Sequence, residues 1–205
     1  MPRKRLTREE ARKQTRMRLL DAAALSIARK GLAATSVEEI AARAGYTRGA
    51  FYSNFNSKSD LFVELLRLDH QNIRENLRKL LDAAPSSEEP QKQLTLLYAR
   101  CYRDDNHYVI WAEARLHAMR DEKFRQRVNV LWLEKRDMVA SIIEQFCKRA
   151  NMQLRGPCAD HALAAIALMD GVLYYNMTMP NELPNASAEA VLCNIFTRVI
   201  FRPSC

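Results

Sequence analysis

Three helix-capping signals, Ser36, Thr47 and Ser57, fall close together in this chain, and Gly45 stands between the first two. Punctuation this dense permits only short helices joined by abrupt turns. Ser36 with Glu39 three positions on has the form of a capping box, which starts a helix burying Val37, Ile40, Ala41 and Ala44. Gly45 takes a positive φ at no steric cost and ends it. Thr47 then caps a helix running from about Arg48 to Ser53, and Ser57 with Asp60 opens a longer one. That order is the layout of a helix-turn-helix, which lays its second helix in the major groove of DNA. Sequence-specific DNA binding is therefore the leading expectation.

Elsewhere apolar residues recur at three- and four-residue spacing, Gly and Pro are sparse, and no alternating β-like segment occurs. The fold class expected is all-α, with about nine helices. Thr7 with Glu10 predicts a capping box opening the first helix, whose apolar stripe is Leu19, Leu20, Ala23, Ala24 and Ile27 and which Gly31 stops. The helix opened by Ser57 extends to about Ala83, roughly 40 Å. Breaks at Pro85 to Pro90, Gly156-Pro157 and Pro180 to Pro184 separate further helices around residues 94–102, 108–115, 124–146, 158–179 and 187–201. Residues 1–56 are expected to form a three-helix DNA-binding domain with a basic N-terminal arm. Residues 57–205 are expected to form a helical ligand-binding and dimerisation domain.

The charge distribution agrees with that division. Of a net +8, residues 1 to 60 hold +7, from 13 Lys/Arg against 6 Asp/Glu, which leaves +1 for the other 145 residues. A polyanion-binding module on a near-neutral body has this asymmetry, although a basic face is also compatible with plain solvation. The N-terminus lacks an uninterrupted apolar run and is not read as a secretory signal. The most apolar stretch, residues 161–179, carries Asp170 and Asn176 and reads as a buried or interface helix rather than a membrane span. Five scattered cysteines, 101, 147, 158, 193 and 205, have neither metal-ligand spacing nor a disulfide pattern, so no metal, no cofactor and a cytoplasmic location are expected.

Within the helix-turn-helix, Arg48 is the long donor able to reach base edges, with guanine its best acceptor. Gly49 and Ala50 permit close approach to DNA, while Phe51 and Phe55 form the apolar underside. Thr47, Tyr52, Ser53 and Lys58 suit phosphate contacts, and Thr35, Ser36 and Tyr46 complete the candidate DNA-contacting set. The arm residues Arg3, Lys4, Arg5 and Arg8 either track DNA or remain a solvated tail.

These residues resemble the N-terminal pattern of the tetracycline-repressor (TetR) family of bacterial transcriptional regulators. Thr35, Ile40-Ala41 with Ala44-Gly45, Thr47, Gly49, Tyr52 with Phe55, and Lys58 with Leu61 carry the resemblance, which covers about residues 12 to 65. Tyr46 and Asn54 depart from it, standing where a small aliphatic and a histidine or tyrosine are commoner. The resemblance implies a homodimer through the helices at about 158–179 and 187–201 and a double-stranded DNA operator. It also implies a small-molecule effector bound within the helical body and, most often, repression relieved by that effector. The region from Tyr108 to Cys147 is loosely similar to the acyl-efflux and betaine-regulator branches and names no ligand.

For the effector site the candidates are Tyr98, Tyr102, Trp111, Trp132, Met169, Asp170, Tyr174 and Met177, which suit a hydrophobic or aromatic molecule. Aromatic stripes at helical spacing are more often core. Asp170, a carboxylate in an apolar helix, needs a partner, either in a pocket or across the dimer interface. No nucleophile–base order, carboxylate pair or phosphate-cradling glycine loop is present, so the chain is not expected to be an enzyme. A helical-bundle enzyme or small-molecule carrier is the competing class, and a transcriptional activator of the same fold is not distinguished from a repressor.

Overall fold

Helix ends organise the first part of the computed structural model, which describes residues 7–83, 105–149 and 151–196. Thr7 Oγ1 accepts from Glu10 N at 3.2 Å and Glu10 Oε2 accepts from Thr7 N at 2.7 Å, closing the expected capping box. Helix α1 (Arg8–Ala34) begins there and leaves the helical path at Gly31, φ 82°. Then follow α2 (Val37–Arg43), α3 (Arg48–Tyr52) and α4 (Lys58–Ala83). The later helices are α5 (Asp105–Arg120), α6 (Glu122–Arg149), α7 (Cys158–Thr178) and α8 (Asn185–Ile195).

The all-α expectation holds: eight helices and no strand occur among the described residues. The helix expected at 94–102, with Tyr98, Tyr102 and Cys101, lies outside the described residues. So do Arg3, Lys4 and Arg5, the Pro85 to Pro90 break, residues 197–201 of the last helix, and Cys205. Two local expectations need correction. Ser36 Oγ caps α2 by accepting from Glu39 N at 3.1 Å, but the Glu39 carboxylate pairs with Lys30 of α1 instead of completing a box. Helix α8 starts at Asn185 rather than Ser187, because Pro184, φ −64°, sits at the cap and its carbonyl accepts from Ala188 N at 3.0 Å.

The described chain divides into two compact units. The first comprises the residues up to Asp69 together with Val109–Val128; the second comprises the described residues from His70 to Tyr108 and from Asn129 onward. In the first, Leu19, Ile27, Ile40, Phe51, Leu61, Phe62 and Leu66 are fully buried. Phe62 of α4 stacks on Phe124 of α6 with centroids 5.5 Å apart, and Arg127 pairs with Asp60 at 2.7 Å. The core of the second unit joins Val139, Ile142 and Ile143 of α6 to Ala162, Ala165, Met169 and Leu173 of α7 and to Ala188 and Leu192 of α8.

A buried histidine gives the second unit a pH dependence. His70 on α4 is buried, with Nε2 3.1 Å from Glu134 Oε2 of α6. Burial holds its imidazole below the ordinary value of 6.5; Arg74 and Lys135 act in the same direction, and Glu134 opposes them. As pH falls through 6.5 the unfolded chain takes up a proton that the folded chain does not, so stability declines until the lower folded value is passed. Melting temperature followed between about pH 8 and pH 5 should fall for the wild type and fall less for His70→Gln.

Candidate nucleic-acid interface

The turn before α3 is closed by the backbone. Tyr46 N donates to Ala41 O at 2.8 Å and Gly45 N to Ala42 O at 3.0 Å, with Gly45 at φ 78°. This is a Schellman closure, and it needs a residue that tolerates positive φ. Thr47 Oγ1 then accepts from Ala50 N at 3.3 Å, starting α3 at once. Phe51 and Phe55 are buried beneath α3, as expected. Arg16 of α1 braces its far end: Nη1 donates to Asn54 O at 2.5 Å, the guanidinium lies 4.4 Å from the Phe55 ring centroid, and Nη2 stands 3.4 Å from Glu64 Oε1.

What remains outward on this short helix is Arg48, Gly49, Tyr52 and Ser53, all exposed. Arg48 Nη1 stands 3.0 Å from Glu38 Oε1, and its guanidinium lies 5.5 Å from the centroid of the Tyr52 ring, itself 46% exposed. Ser53 Oγ donates to Gly49 O at 2.9 Å. Gly49 is not required by packing within the chain, since a Cβ there would meet only Thr47 Oγ1, at 3.7 Å. Its missing side chain clears the outer face. Ser36 and Thr47 are exposed caps, and Tyr46 is half-buried.

A cleft of about 670 Å³ adjoins this face, lined by Arg8, Arg12 and Thr15 of α1 and by Tyr46, Ser53 and Asn54. Arg12 and Asn54 were not among the sequence-level candidates for DNA contact. The i, i+4 spacing of Arg8 and Arg12 was a usable signal for a shared face, but which face of α1 borders α3 was not.

Two candidates have inward roles. Thr35 is 1% exposed, and its hydroxyl donates to Gly31 O at 2.8 Å. Lys58 Nζ donates to Leu32 O at 2.6 Å and to Thr35 O at 2.7 Å, with Ala33 O at 3.5 Å. Burial, and secondarily the Lys30 charge, push its pKa below the ordinary lysine range. The ammonium expected on a phosphate instead caps the orphan carbonyls at the end of α1.

The described effector candidates fall in both units, and each is placed by its own surroundings. Trp111 is buried in the first unit, with Nε1 donating to Asp69 Oδ2 at 2.6 Å. In the second unit Met169 is 0% exposed within the core, whereas Tyr174 is exposed and packs edge-on against Tyr175. The Asp170 carbonyl accepts from Tyr108 Oη at 3.3 Å. Trp132 is half-buried, with Lys135 Nζ 5.9 Å from its ring centroid. Met177 lines a cleft of about 430 Å³ with Asn176, Pro180, Pro184 and Asn185. Among the described residues no cluster of His, Cys, Asp or Glu is able to hold a metal ion, and no helix is long and apolar enough to cross a membrane.

Comparison with known proteins bears on both parts of the chain. Residues 19–65 match the family described as bacterial regulatory proteins, tetR family. Residues 102–200 match that described as BetI-type transcriptional repressor, C-terminal. The HTH-type transcriptional regulator AcrR of Shigella flexneri is 46% identical over 71 residues, which are 35% of this chain and 33% of that protein. The chain thus spans about a third of the length of this curated relative. A transcriptional regulator from Saccharomonospora viridis, solved in complex with choline, superposes with a TM-score of 0.76 at 18% identity, covering 91% of this chain and 97% of that one. FadR from Bacillus subtilis, solved in complex with stearoyl-CoA, gives a TM-score of 0.75 at 16% identity, covering 89% and 97%.

The position of Lys58 separates a structural from an electrostatic role. Lys58→Met keeps the aliphatic stem but strands the Leu32 and Thr35 carbonyls, so it should lower unfolding free energy by about 1–3 kcal/mol in urea titration. Unchanged stability combined with weaker, less salt-dependent polyanion binding would return the ammonium to a phosphate.

Proposed function

The chain belongs to the TetR family of bacterial regulatory proteins, and on that footing we propose that it is a cytoplasmic, ligand-released transcriptional repressor acting as a homodimer on a palindromic operator. The observation that carries this reading is the outer face of α3. A helix of only five residues, started by Thr47 and seated on buried Phe51 and Phe55, presents Arg48, Tyr52 and Ser53 beside a glycine that packing does not demand. Such a face suits close approach to the major groove, with Arg48 directed to base edges and Tyr52, Ser53 and Thr47 to phosphates. Arg8 and Arg12 extend the same footprint along α1. In this reading residues 1–56 supply the DNA contacts and residues 57–205 the effector site and the dimer interface.

Dimerisation is supported by the surface of α7. Leu163 is 60% exposed, and Ala167, Gly171, Tyr174 and Thr178 follow it at three- or four-residue steps, all exposed. One helical face therefore carries apolar and small residues outward, and a second copy packed on it would bury them. Two heads related by the dimer axis read neighbouring major grooves, so a ligand that favours a different head spacing shifts the population off DNA.

The effector class we favour is a small hydrophobic or aromatic molecule. The bound choline and stearoyl-CoA of the two structural neighbours belong in the test panel. Titrating the purified protein against DNA upstream of its own coding sequence, with and without such compounds, tests the reading: binding should be tight, salt-dependent and relieved by at least one compound. Absence of any preference for that DNA would sink it, and in a transcription assay a fall in output on release would mark an activator instead.

Two variants probe the parts. Arg48→Ala should cost roughly 1–3 kcal/mol of operator affinity and relax selectivity at one base position, measured by competition with base-substituted duplexes. Leu163→Asp places a charge in the proposed interface; sedimentation velocity should then show monomers, and operator affinity should fall with the loss of the second head. A stable dimer in that variant would move the interface elsewhere.

A further inference from the structure

One residue at the end of α1, Leu32, is held at both its N–H and its carbonyl by charges remote in sequence. Because Gly31 takes the chain off the helical path, Leu32 N–H loses the acceptor four residues back and needs another. Glu113 of α5 supplies it, with Oε2 accepting at 3.0 Å across 81 residues of sequence. The carbonyl of the same residue accepts from Lys58 Nζ at 2.6 Å. The fit around Gly31 is close: a Cβ there would stand 3.1 Å from Glu113 Oε1, on a residue whose φ of 82° few side chains tolerate. Helix α5 is itself pinned, since Trp111, two positions before Glu113, donates to Asp69 of α4 at 2.6 Å.

We propose that Glu113 is a positioning residue for DNA reading, whose carboxylate fixes the turn between α1 and α2 and makes the setting of α3 depend on α5. The inference rests on the reading of this chain as a DNA-binding regulator. Physically, the chain passes from Leu32 through Thr35, whose hydroxyl closes on Gly31 O, directly into the seven-residue α2 and then the Schellman turn to α3. No slack segment intervenes, so displacement at Leu32 reaches the reading helix. A charged acceptor on a backbone N–H is stronger than a neutral one and fixes its direction. At its other end α5 carries Tyr108, in the second unit, where the hydroxyl donates to the Asp170 carbonyl of α7 at 3.3 Å.

The test compares wild type, Glu113→Ala, Glu113→Gln and Glu113→Asp as full chains. Affinity for DNA upstream of the coding sequence and for a scrambled duplex is measured over a salt series, alongside exchange of the Leu32 amide. Glutamine keeps a carbonyl oxygen at the same reach, whereas alanine removes the acceptor and aspartate withdraws it by one methylene. Glu113→Ala and Glu113→Asp should lose roughly tenfold in affinity for the upstream DNA, with faster Leu32 exchange and unchanged binding to the scrambled duplex. Glu113→Gln should restore most of both. Where Glu113→Ala does not fold, the Asp and Gln pair carries the same contrast. Equal discrimination in wild type and Glu113→Asp, or equal losses on both duplexes, overturns the proposal. A wild type that fails to prefer its upstream DNA, while its Leu32 amide stays protected, would overturn the DNA-binding reading and leave the Glu113 hydrogen bond standing as a purely structural one.

Discussion

Backbone groups at helix ends must find partners, and in a reading head made of helices of seven and five residues those ends are most of the backbone. A five-residue helix has no independent stability in water. The geometry of α3 is therefore decided by what meets its ends and underside: Thr47 on Ala50 N, the Schellman closure at Gly45, the rings of Phe51 and Phe55, and the Arg16 guanidinium on Asn54 O. Each removes a degree of freedom that DNA binding would otherwise have to freeze.

The same constraint explains what could be read from the chain. Caps and turns act over three or four residues, so Thr7, Ser36, Thr47, Ser57 and the positive-φ glycines at 31 and 45 were legible in the sequence, as was the all-α character. Lys58 was legible as a residue of interest and not as a cap, because its acceptors lie 23 to 26 positions earlier. Glu113, a polar group in an otherwise apolar region, could not be paired with Leu32 from the sequence, because the two lie 81 positions apart. Periodicity assigned Trp111 and Met169 to apolar faces correctly, yet a stripe looks alike whether it lines a pocket or fills a core, and both residues are buried. Leu163 and Tyr174 show the converse: apolar residues on a helix expected to be buried or interfacial are exposed in the single chain, and the proposed dimer would cover them.

Charge in the sequence and charge available to a polyanion are also different quantities. The +7 of the first 60 residues includes Arg16, Lys30 and Lys58. Arg16 is engaged with Asn54, Phe55 and Glu64, Lys30 with Glu39, and Lys58 with three carbonyls. These cations are engaged within the head, although the Lys30 side chain itself stays exposed. Arg48, by contrast, rests on Glu38 in an exposed pair, and such pairs contribute at most about 1 kcal/mol. In the proposed reading an arginine held this weakly exchanges its carboxylate for a base edge at little cost, while Arg16 and Lys58 brace the scaffold beneath it. Sequence-specific reading needs an exchangeable donor on a braced frame, and in the proposed reading Arg48 is that donor while Arg16 and Lys58 brace the frame.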